Sequence, residues 1–246
     1  MSHALDLDRI APTRRPERHP AGTQRWRELL FLHWTFSVDV VRPLVPPGLE
    51  LDTWDGRAWI GVVPFVMRDV RSTWMPRRTG LDFLETNVRT YVHHRGVPGI
   101  YFFSLEASSW LAVKVARAAW PLPYFHAAMR TARTGDAITY HSTRKRGARP
   151  MFDARWEVGA PLGASAPGTL DHFLLERYVL YTQGRRGQVR AGQVHHTPYP
   201  AQRATVTQLA QTLVTAAGAP LDAGAAPETV HYADGVDVEV FGPWDA

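Results

Sequence analysis

A strict alternation of polar and apolar residues from Leu84 to His93 constrains the fold of this chain more than any other feature. Successive side chains of a β-strand point to opposite faces, so a period of two predicts a strand here. One face presents a carboxylate, an amide, a guanidinium and a phenol, from Glu85, Asn87, Arg89 and Tyr91. The opposite face presents Thr86, Val88, Thr90 and Val92.

Strand and turn patterns continue along most of the chain. Strands are predicted at residues 29–36, 49–51, 58–63, 100–105, 124–132, 137–144, 154–158, 178–182, 188–196, 230–232 and 236–241. Tight turns are predicted at 55–56 and 233–235, and helical segments at 39–45, 107–119, 170–176 and 205–217. Many short strands with few helices favour a mainly β or α+β barrel over alternating βαβ units.

The domain organisation follows from the first 24 residues and the absence of a later linker. Residues 1–24 are rich in Arg, Pro and His without periodicity, which predicts a flexible N-terminal arm. Residues 25–246 contain no internal repeat and no convincing linker. They are therefore predicted to form one domain, a size that single β barrels reach.

Composition excludes several classes of protein. The chain has no cysteine, so thiolate catalysis, Cys-based zinc sites and disulfides are excluded. It has no apolar run of about 18 residues and no apolar core near its N-terminus, so we expect a cytoplasmic protein without a membrane partner. The net charge of +5 comes without a nucleic-acid-binding motif, and we expect no nucleic acid. The basic stretch 144–149 leaves docking to an anionic partner open.

Sequence motifs for common catalytic sites are missing. There is no Gly-x-Ser-x-Gly elbow, no P-loop, no Gly-x-Gly-x-x-Gly and no His-Glu-x-x-His. We therefore expect no cofactor and no metal. A metal site assembled from distant histidines remains the alternative, with His33, His126, His141 and His231 as its candidates.

Lysine is rare, since Lys114 and Lys145 are the only two among 28 basic residues. Lys114 lies among apolar residues, and a lysine that forms a Schiff base must have a pKa far below its usual ~10.4. Burial and the neighbouring Arg117, three residues on, would both lower it. The simpler interpretation places Lys114 and Arg117 on the solvated face of an amphipathic helix.

The polar face of the strand at 84–93 also has two interpretations. If this face lines an interior, Arg89 could grip a carboxylate, Asn87 and Tyr91 could donate hydrogen bonds, and Glu85 could act as an acid or base. If it faces water, the residues have no joint role.

Several sequence motifs together resemble those of the YqjF-like family of uncharacterised proteins. They span residues 29–34 (LLFLHW), 45–61, 85–92, 99–107 (GIYFFSLEA), 176–181 (ERYVLY), 195–199 (HHTPY) and 231–240. The resemblance covers about residues 25–243. It extends distantly to the acetoacetate decarboxylase superfamily, through the pattern of residues 27–52, and implies a closed β cone with a central pocket.

The decarboxylase resemblance also implies roles for individual residues. Arg27 stands where the enzymes have an active-site arginine. The enzymes carry adjacent lysines six and seven positions after a glutamate, whereas here Lys114 comes eight positions after Glu106 and Val115 follows it. Near Ile60, where the enzymes have a second glutamate, this chain has no carboxylate.

The predicted function is a small-molecule pocket, with a Schiff-base-type lyase acting on a keto acid as its enzymatic form. Lys114 would form the imine, Arg27 or Arg89 would bind the carboxylate, and Glu85 or Glu106 would move protons. The alternative is a binding protein with the same pocket and no covalent step. A homo-oligomer is left open.

Overall fold

Strands dominate the structure and carry the candidate site. The computed structural model describes residues 7–184 and 186–246, without the side chains of residues 77, 118 and 119. Within these residues it contains twelve strands and four helices. The fold is therefore mostly β with few helices, as the sequence predicted. No helix in this part of the chain is long and apolar enough to cross a membrane.

The elements follow each other along the chain in this order. The strands are β1 Gly22–Phe36, β2 Glu50–Leu51, β3 Ala58–Ser72, β4 Leu81–His94, β5 Val97–Ala107, β6 Tyr124–Thr134, β7 Ala137–Arg144, β8 Met151–Gly163, β9 Val179–Gln183, β10 Val189–His195, β11 Ala201–Gln211 and β12 Thr229–Asp245. The helices are α1 Val38–Val41, α2 Trp110–Ala119, α3 Leu170–Leu175 and α4 Leu213–Ala216. Short 3-10 turns lie at Ala11–Thr13, Arg42–Leu44 and Arg77–Thr79.

The strand pairings form a ring. From β5 they run through β6, β7, β8, β11, β12, β1 and β3 to β4, which pairs back with β5. The pair β9–β10 joins β5 to β12. The pairings are antiparallel except for β5–β6 and β5–β9. A crossover longer than a hairpin must join parallel neighbours, and α2 lies in the connection from β5 to β6.

The predicted strand at 84–93 lies inside β4, and both of its faces are buried. Glu85, Asn87, Arg89 and Tyr91 are at most 6% exposed, although all four carry polar groups that normally bind water. The polar face is therefore not directed toward solvent, and neither is the opposite face, whose Val88 and Val92 are fully buried. A hairpin with positive φ at Arg95 and Gly96 then returns the chain into β5.

The helix predicted at 205–217 is wrong. Residues 201–211 form strand β11, paired with β8 and with β12, and only Leu213–Ala216 is helical. The β-branched run Thr205-Val206-Thr207 favours a strand, and its exposure alternates as a strand's does. The alanines and glutamines of this segment suggested a helix, but strand pairing on both sides determined the outcome.

The turn predicted at 233–235 is also wrong, because β12 continues through it. Ala233 pairs with Leu29 and Gly235 with Arg27 of β1. Gly235 has a φ of 150°, and a Cβ there would lie 2.2 Å from the carbonyl oxygen of Trp26. The glycine therefore permits a close approach of two backbones and does not reverse the chain.

Part of the N-terminal segment that was predicted to be a flexible arm contacts the rest of the chain. Residues 1–6 lie outside the described residues, and β1 already begins at Gly22. Between them, Arg9 pairs with Asp52 at 2.5 Å and Arg15 with Glu239 at 2.6 Å. Arg18 lies 4.2 Å from the ring centre of Trp244. These contacts attach residues 9–18 to β12 and to Asp52, which directly follows β2.

Candidate functional site

One large cavity of about 630 Å³ lies inside the ring of strands. Leu81, Phe83, Glu85, Asn87 and Arg89 of β4 line it in sequence order. At about 3.3 Å per residue, these side chains span on the order of 27 Å. The volume lies within the range of small-molecule sites in proteins.

The cavity has an open end and a deep end. At the Leu81 end, the lining comes from strand ends and from α2, through residues that include Gly22, Ser72 and Leu111. Leu111 is half exposed, so this end is the mouth. Arg89 lies at the opposite, deep end. The walls between the two ends are mostly apolar and include Leu29, Phe31, Val63, Phe65, Met67, Phe83, Ile100, Phe102 and Leu105.

Arg89 places a buried cation at the deep end. It is 6% exposed, and its Nη2 donates to the carbonyl oxygen of Leu174 at 3.1 Å, while its Nε has no partner. The ion pairs found in residues 7–184 and 186–246 do not include Arg89, so no carboxylate of those residues lies within 4.0 Å. A buried charge normally has a partner of opposite sign.

A second guanidinium, that of Arg177, reaches the same cavity. Its Nη1 donates to Asp52 at 2.8 Å and its Nε to the carbonyl oxygen of Phe173 at 2.7 Å, and its Nη2 has no partner. Asp52 also pairs with Arg9. Arg89 and Arg177 lie 5.9 and 5.3 Å from the ring centre of Tyr91. Three arginines and one aspartate thus leave this region positive.

Neutral polar groups accompany the two arginines. Asn87 lines the cavity next to Arg89 on the same face of β4, and its Oδ1 has no hydrogen-bond partner. Tyr199 lines the cavity as well and packs edge-on against Phe31, with ring centres 5.1 Å apart. Burial raises the pKa of the Tyr199 phenol. Tyr199 therefore remains a hydrogen-bond donor.

Glu85 is a buried acid on the same face, nearer to the mouth. Tyr124 donates its phenolic proton to Oε2 of Glu85 at 3.0 Å. Burial raises the pKa of Glu85 to about 8, because the charged form loses its hydration, and the bond from Tyr124 opposes this only in part. Near neutral pH the carboxyl group is therefore mostly protonated and can donate a hydrogen bond.

The histidines around the deep end are neutral. Tyr91 donates to the carbonyl oxygen of Leu174 at 2.8 Å, so the Nε2 proton of His33 points to the Tyr91 oxygen at 2.7 Å. Burial and the charge of Arg89 lower the pKa of His33, and burial lowers that of His196 to about 4. Arg89 therefore supplies the positive charge at this end, and these imidazoles do not.

The structure brings together some predicted residues and separates others. Glu85, Asn87 and Arg89 line the cavity. Tyr91, predicted to bind substrate, is not among the lining residues, and its hydroxyl donates to the carbonyl oxygen of Leu174, as Nη2 of Arg89 does. Arg27 does not line it, because its guanidinium binds Asp237 at 2.5 Å and the carbonyl oxygen of Val236 at 2.8 Å on the outer side. Its role as a carboxylate anchor therefore has no support in this geometry.

Glu106 and Lys114 also lie away from the cavity lining. Glu106 is fully buried and held by Arg144 at 2.5 and 3.1 Å, so it is occupied by an ion pair. Lys114 is exposed, and its Nζ lies 4.0 Å from the ring centre of Trp110. The helix turns Ala112 and Ala116 toward the cavity instead. The position of Glu106 and Lys114 therefore does not support the catalytic roles predicted for them.

Three residues of the site escaped the sequence analysis, namely Tyr124, Arg177 and Tyr199. Arg177 and Tyr199 occur within the phrases ERYVLY and HHTPY that carried the family resemblance. The family motifs could have identified Arg177 and Tyr199 as candidates, but they do not show whether the side chains point into the cavity. Tyr124 follows two prolines at the start of β6, and nothing in the sequence near it indicates Glu85 as its partner.

A metal site from distant histidines has no support in the described part of the chain. No group of three or more His, Cys, Asp or Glu side chains there could hold an ion. His231 instead places its Nε2 3.0 Å from Asp171, and His141 its Nδ1 2.8 Å from Asp153.

Solved structures with the same fold include enzymes. The enduracididine biosynthesis enzyme MppR, complexed with pyruvate, has a TM-score of 0.64 at 15% identity, covering 93% of this chain and 91% of its own. An acetoacetate decarboxylase-like enzyme from Sphingomonas wittichii RW1 has a TM-score of 0.59 at 14% identity, covering 93% and 94%. Acetoacetate decarboxylase from Legionella pneumophila scores 0.55 at 14% identity, covering 99% of both chains. At these identities the likeness establishes the fold alone.

Sequence comparison establishes the family. The uncharacterized protein YqjF of Bacillus subtilis (strain 168) is 42% identical over 220 residues, which cover 87% of this chain and 88% of that protein. The DUF2071 family, described as an uncharacterized conserved protein, matches residues 23–237. The chain therefore belongs to the DUF2071 family, with YqjF among its relatives, and has an acetoacetate decarboxylase-like fold.

Proposed function

We propose that this protein binds a small organic anion with an apolar body, inside a closed β cone of the decarboxylase type. The anionic group, a carboxylate in the simplest case, pairs with Arg89 at the deep end. The apolar body extends past Asn87 and Glu85 toward the mouth. The protein acts by non-covalent binding.

The unpaired guanidinium of Arg89 is the observation that carries this proposal. A buried arginine without a carboxylate nearby loses much hydration, and an anionic ligand that enters the cavity offsets that loss. The neutral state of Glu85 supports the same ligand, since an ionised glutamate about 13 Å away along β4 would repel an anion in a dry cavity. The apolar walls favour an apolar body.

Imine chemistry on a keto acid, the enzymatic form predicted from the sequence, finds less support. It requires an amine in the cavity, and neither of the two lysines is among the residues that line it. Lys114 and Lys145 are both exposed. MppR was solved with pyruvate, but that finding concerns MppR.

A matched ligand pair tests the proposal. Octanoate and octanol share an apolar chain and differ in the anionic group, so calorimetric titration of both isolates the contribution of the charge. We expect octanoate to bind at least about tenfold more tightly than octanol. The Arg89→Met variant should lose this preference and bind octanol unchanged.

Arg155→Met is the control, because Arg155 is an exposed arginine of β8. It should bind octanoate like the unmodified protein. Equal binding of octanoate and octanol by folded protein, or an octanoate affinity that survives Arg89→Met, would refute the proposal.

A further inference from the structure

The mouth of the cavity is surrounded by exposed apolar side chains. Trp74 is 82% exposed, Trp110 53%, Leu111 50% and Val115 56%. We call these four residues the mouth rim. Trp74 belongs to the connection from β3 to β4, and the other three belong to α2. Large exposed apolar groups that occur together mark an interaction surface.

The two segments of the mouth rim meet at the cavity. Met75, next to Trp74, lines the cavity together with Leu111 and Val115. The amide of Leu84 donates to Oγ of Ser108 at 2.9 Å, which fixes the start of α2 beside β4. Ser109 then caps the helix by accepting from the amide of Ala112. The helix therefore holds its apolar face at the entrance.

The charge around the mouth rim is positive. Residues 70–81 and 107–135 contain no Asp or Glu. Arg78, Lys114 and Arg117 are exposed within these segments. The flanking carboxylates Asp69 and Asp82 pair with Arg71 and Arg68, at 3.0 and 2.9 Å.

We propose that the mouth rim docks on the surface of an anionic lipid bilayer. Tryptophan is enriched at the boundary between headgroups and acyl chains, and exposed lysine and arginine are attracted by anionic headgroups. An interfacial helix combines apolar and basic side chains in this way. A second copy of this chain would instead bring two basic surfaces together. Docking of this kind needs no spanning helix, which was the basis for expecting no membrane partner.

Docking would open the cavity directly onto the lipid phase. The mouth, with Leu111 and Val115 on its edge, would then admit an amphiphilic anion without passage through water. This part rests on the proposed function and narrows its ligand to a single-chain amphiphile. It predicts an anionic head at Arg89 and an acyl chain directed back toward the mouth rim.

Flotation with vesicles tests the docking. Vesicles of equimolar phosphatidylcholine and phosphatidylglycerol should carry the protein, and vesicles of phosphatidylcholine alone should carry about tenfold less. Lys114→Glu and the double variant Trp74→Ser/Trp110→Ser should each reduce binding by about tenfold or more. These side chains do not line the cavity, so octanoate binding should be unchanged.

Matched controls separate docking from general charge and hydrophobicity. Arg155→Glu changes the net charge as Lys114→Glu does, on the outer surface of β8. Val97→Ser removes an exposed apolar residue at the opposite end of β5 from α2. Both controls should float like the unmodified protein, and so should Arg89→Met, whose defect is confined to ligand binding. Circular dichroism and thermal unfolding confirm that each variant is folded.

Three results would overturn the docking proposal. The first is no binding of folded protein to the equimolar vesicles, and the second is binding that the mouth-rim variants leave unchanged. The third is self-association in analytical ultracentrifugation that the mouth-rim variants abolish, which would show that a second copy covers this surface. Failure of octanoate binding with intact flotation would refute the proposed function and leave docking in place.

Discussion

Tyr124 donates its phenolic proton to Oε2 of Glu85 at 3.0 Å, within the wall of the cavity. The ion pairs of the described residues do not include Glu85, so this neutral donor stands where buried carboxylates usually have a cation. The loss of hydration on burial therefore outweighs the hydrogen bond from Tyr124, and the pKa of Glu85 rises to about 8. Glu85 therefore holds its proton near neutral pH, and the cavity wall between the mouth and Arg89 has no ionised group on this face of β4.

Protein stability should fall with pH because of Glu85. In the unfolded chain its carboxyl group ionises near the ordinary value of 4.5, whereas in the folded protein it ionises at about 8. Between these values the folded state binds more protons, so the free energy of unfolding decreases as pH rises. The shift corresponds to about 5 kcal/mol across that window. Urea unfolding at a series of pH values measures it.

Glu85→Gln isolates this effect, because glutamine has nearly the same shape and does not ionise. The variant should gain stability over the unmodified protein as pH rises from about 4.5 to about 8. Glu157→Gln, at an exposed glutamate of β8, should show no such gain. Parallel pH profiles of the unmodified protein and Glu85→Gln would contradict a buried, neutral Glu85.

The ion pair of Glu106 with Arg144 should be needed for stability and not for ligand binding. Arg144→Met leaves the fully buried carboxylate without a partner, which costs about 3 kcal/mol or more. Methionine can keep the apolar contact with Phe125, above which the guanidinium lies. Thermal unfolding should show the loss, and octanoate affinity should stay within about twofold in protein that remains folded.

A second substitution at the same pair provides the control. Adding Glu106→Gln to Arg144→Met removes the unpaired charge and should restore part of the stability. Arg146→Met, at an exposed neighbour, should have little effect. If Arg144→Met weakened octanoate binding at unchanged stability, Glu106 would belong to the ligand site after all.

The sequence placed three residues of the candidate site on one face of a strand, because β4 has the period-two alternation that is typical of strands. Glu85, Asn87 and Arg89 share a face by geometry alone. Whether that face met water or a cavity depended on which strands closed over it, and the pairing of β4 with both β3 and β5 is a property of the whole ring. Residue periodicity favoured a mainly β fold, and the family resemblance added its likeness to acetoacetate decarboxylase.

The residues assigned by analogy with the decarboxylases do not line the cavity, whereas Glu85, Asn87 and Arg89, assigned by periodicity, do. Arg27 and Glu106 have partners that lie far away in sequence, Asp237 and Arg144, and these pairs direct both side chains away from the cavity. Lys114 lies on a short helix whose small residues, Ala112 and Ala116, face the cavity. Tertiary pairing of this kind leaves no local signal in the sequence.

Lys114 should not form an imine with a keto acid bound in the cavity. Its amine is on the exposed face of α2, above Trp110, and not among the lining residues. Borohydride reduction in the presence of pyruvate, followed by peptide mass mapping, should give equal and low modification of Lys114 and Lys145. Lys145 serves as the internal control, because it is the only other lysine. Selective, saturable labelling of Lys114 would restore the imine mechanism.

Gly235 should be among the least replaceable residues of β12, although the sequence suggested a turn at this position. A Cβ at Gly235 would lie 2.2 Å from the carbonyl oxygen of Trp26 and 2.7 Å from Cδ of Arg27, so β1 and β12 would have to separate. Gly235→Ala should therefore lower the free energy of unfolding by about 3 kcal/mol.

Gly96→Ala is the matched control, because Gly96 has a φ of 82° but open space around it. It should lose only about 1 kcal/mol from backbone strain. Equal losses in urea unfolding would mean that β1 and β12 do not approach closely at Gly235.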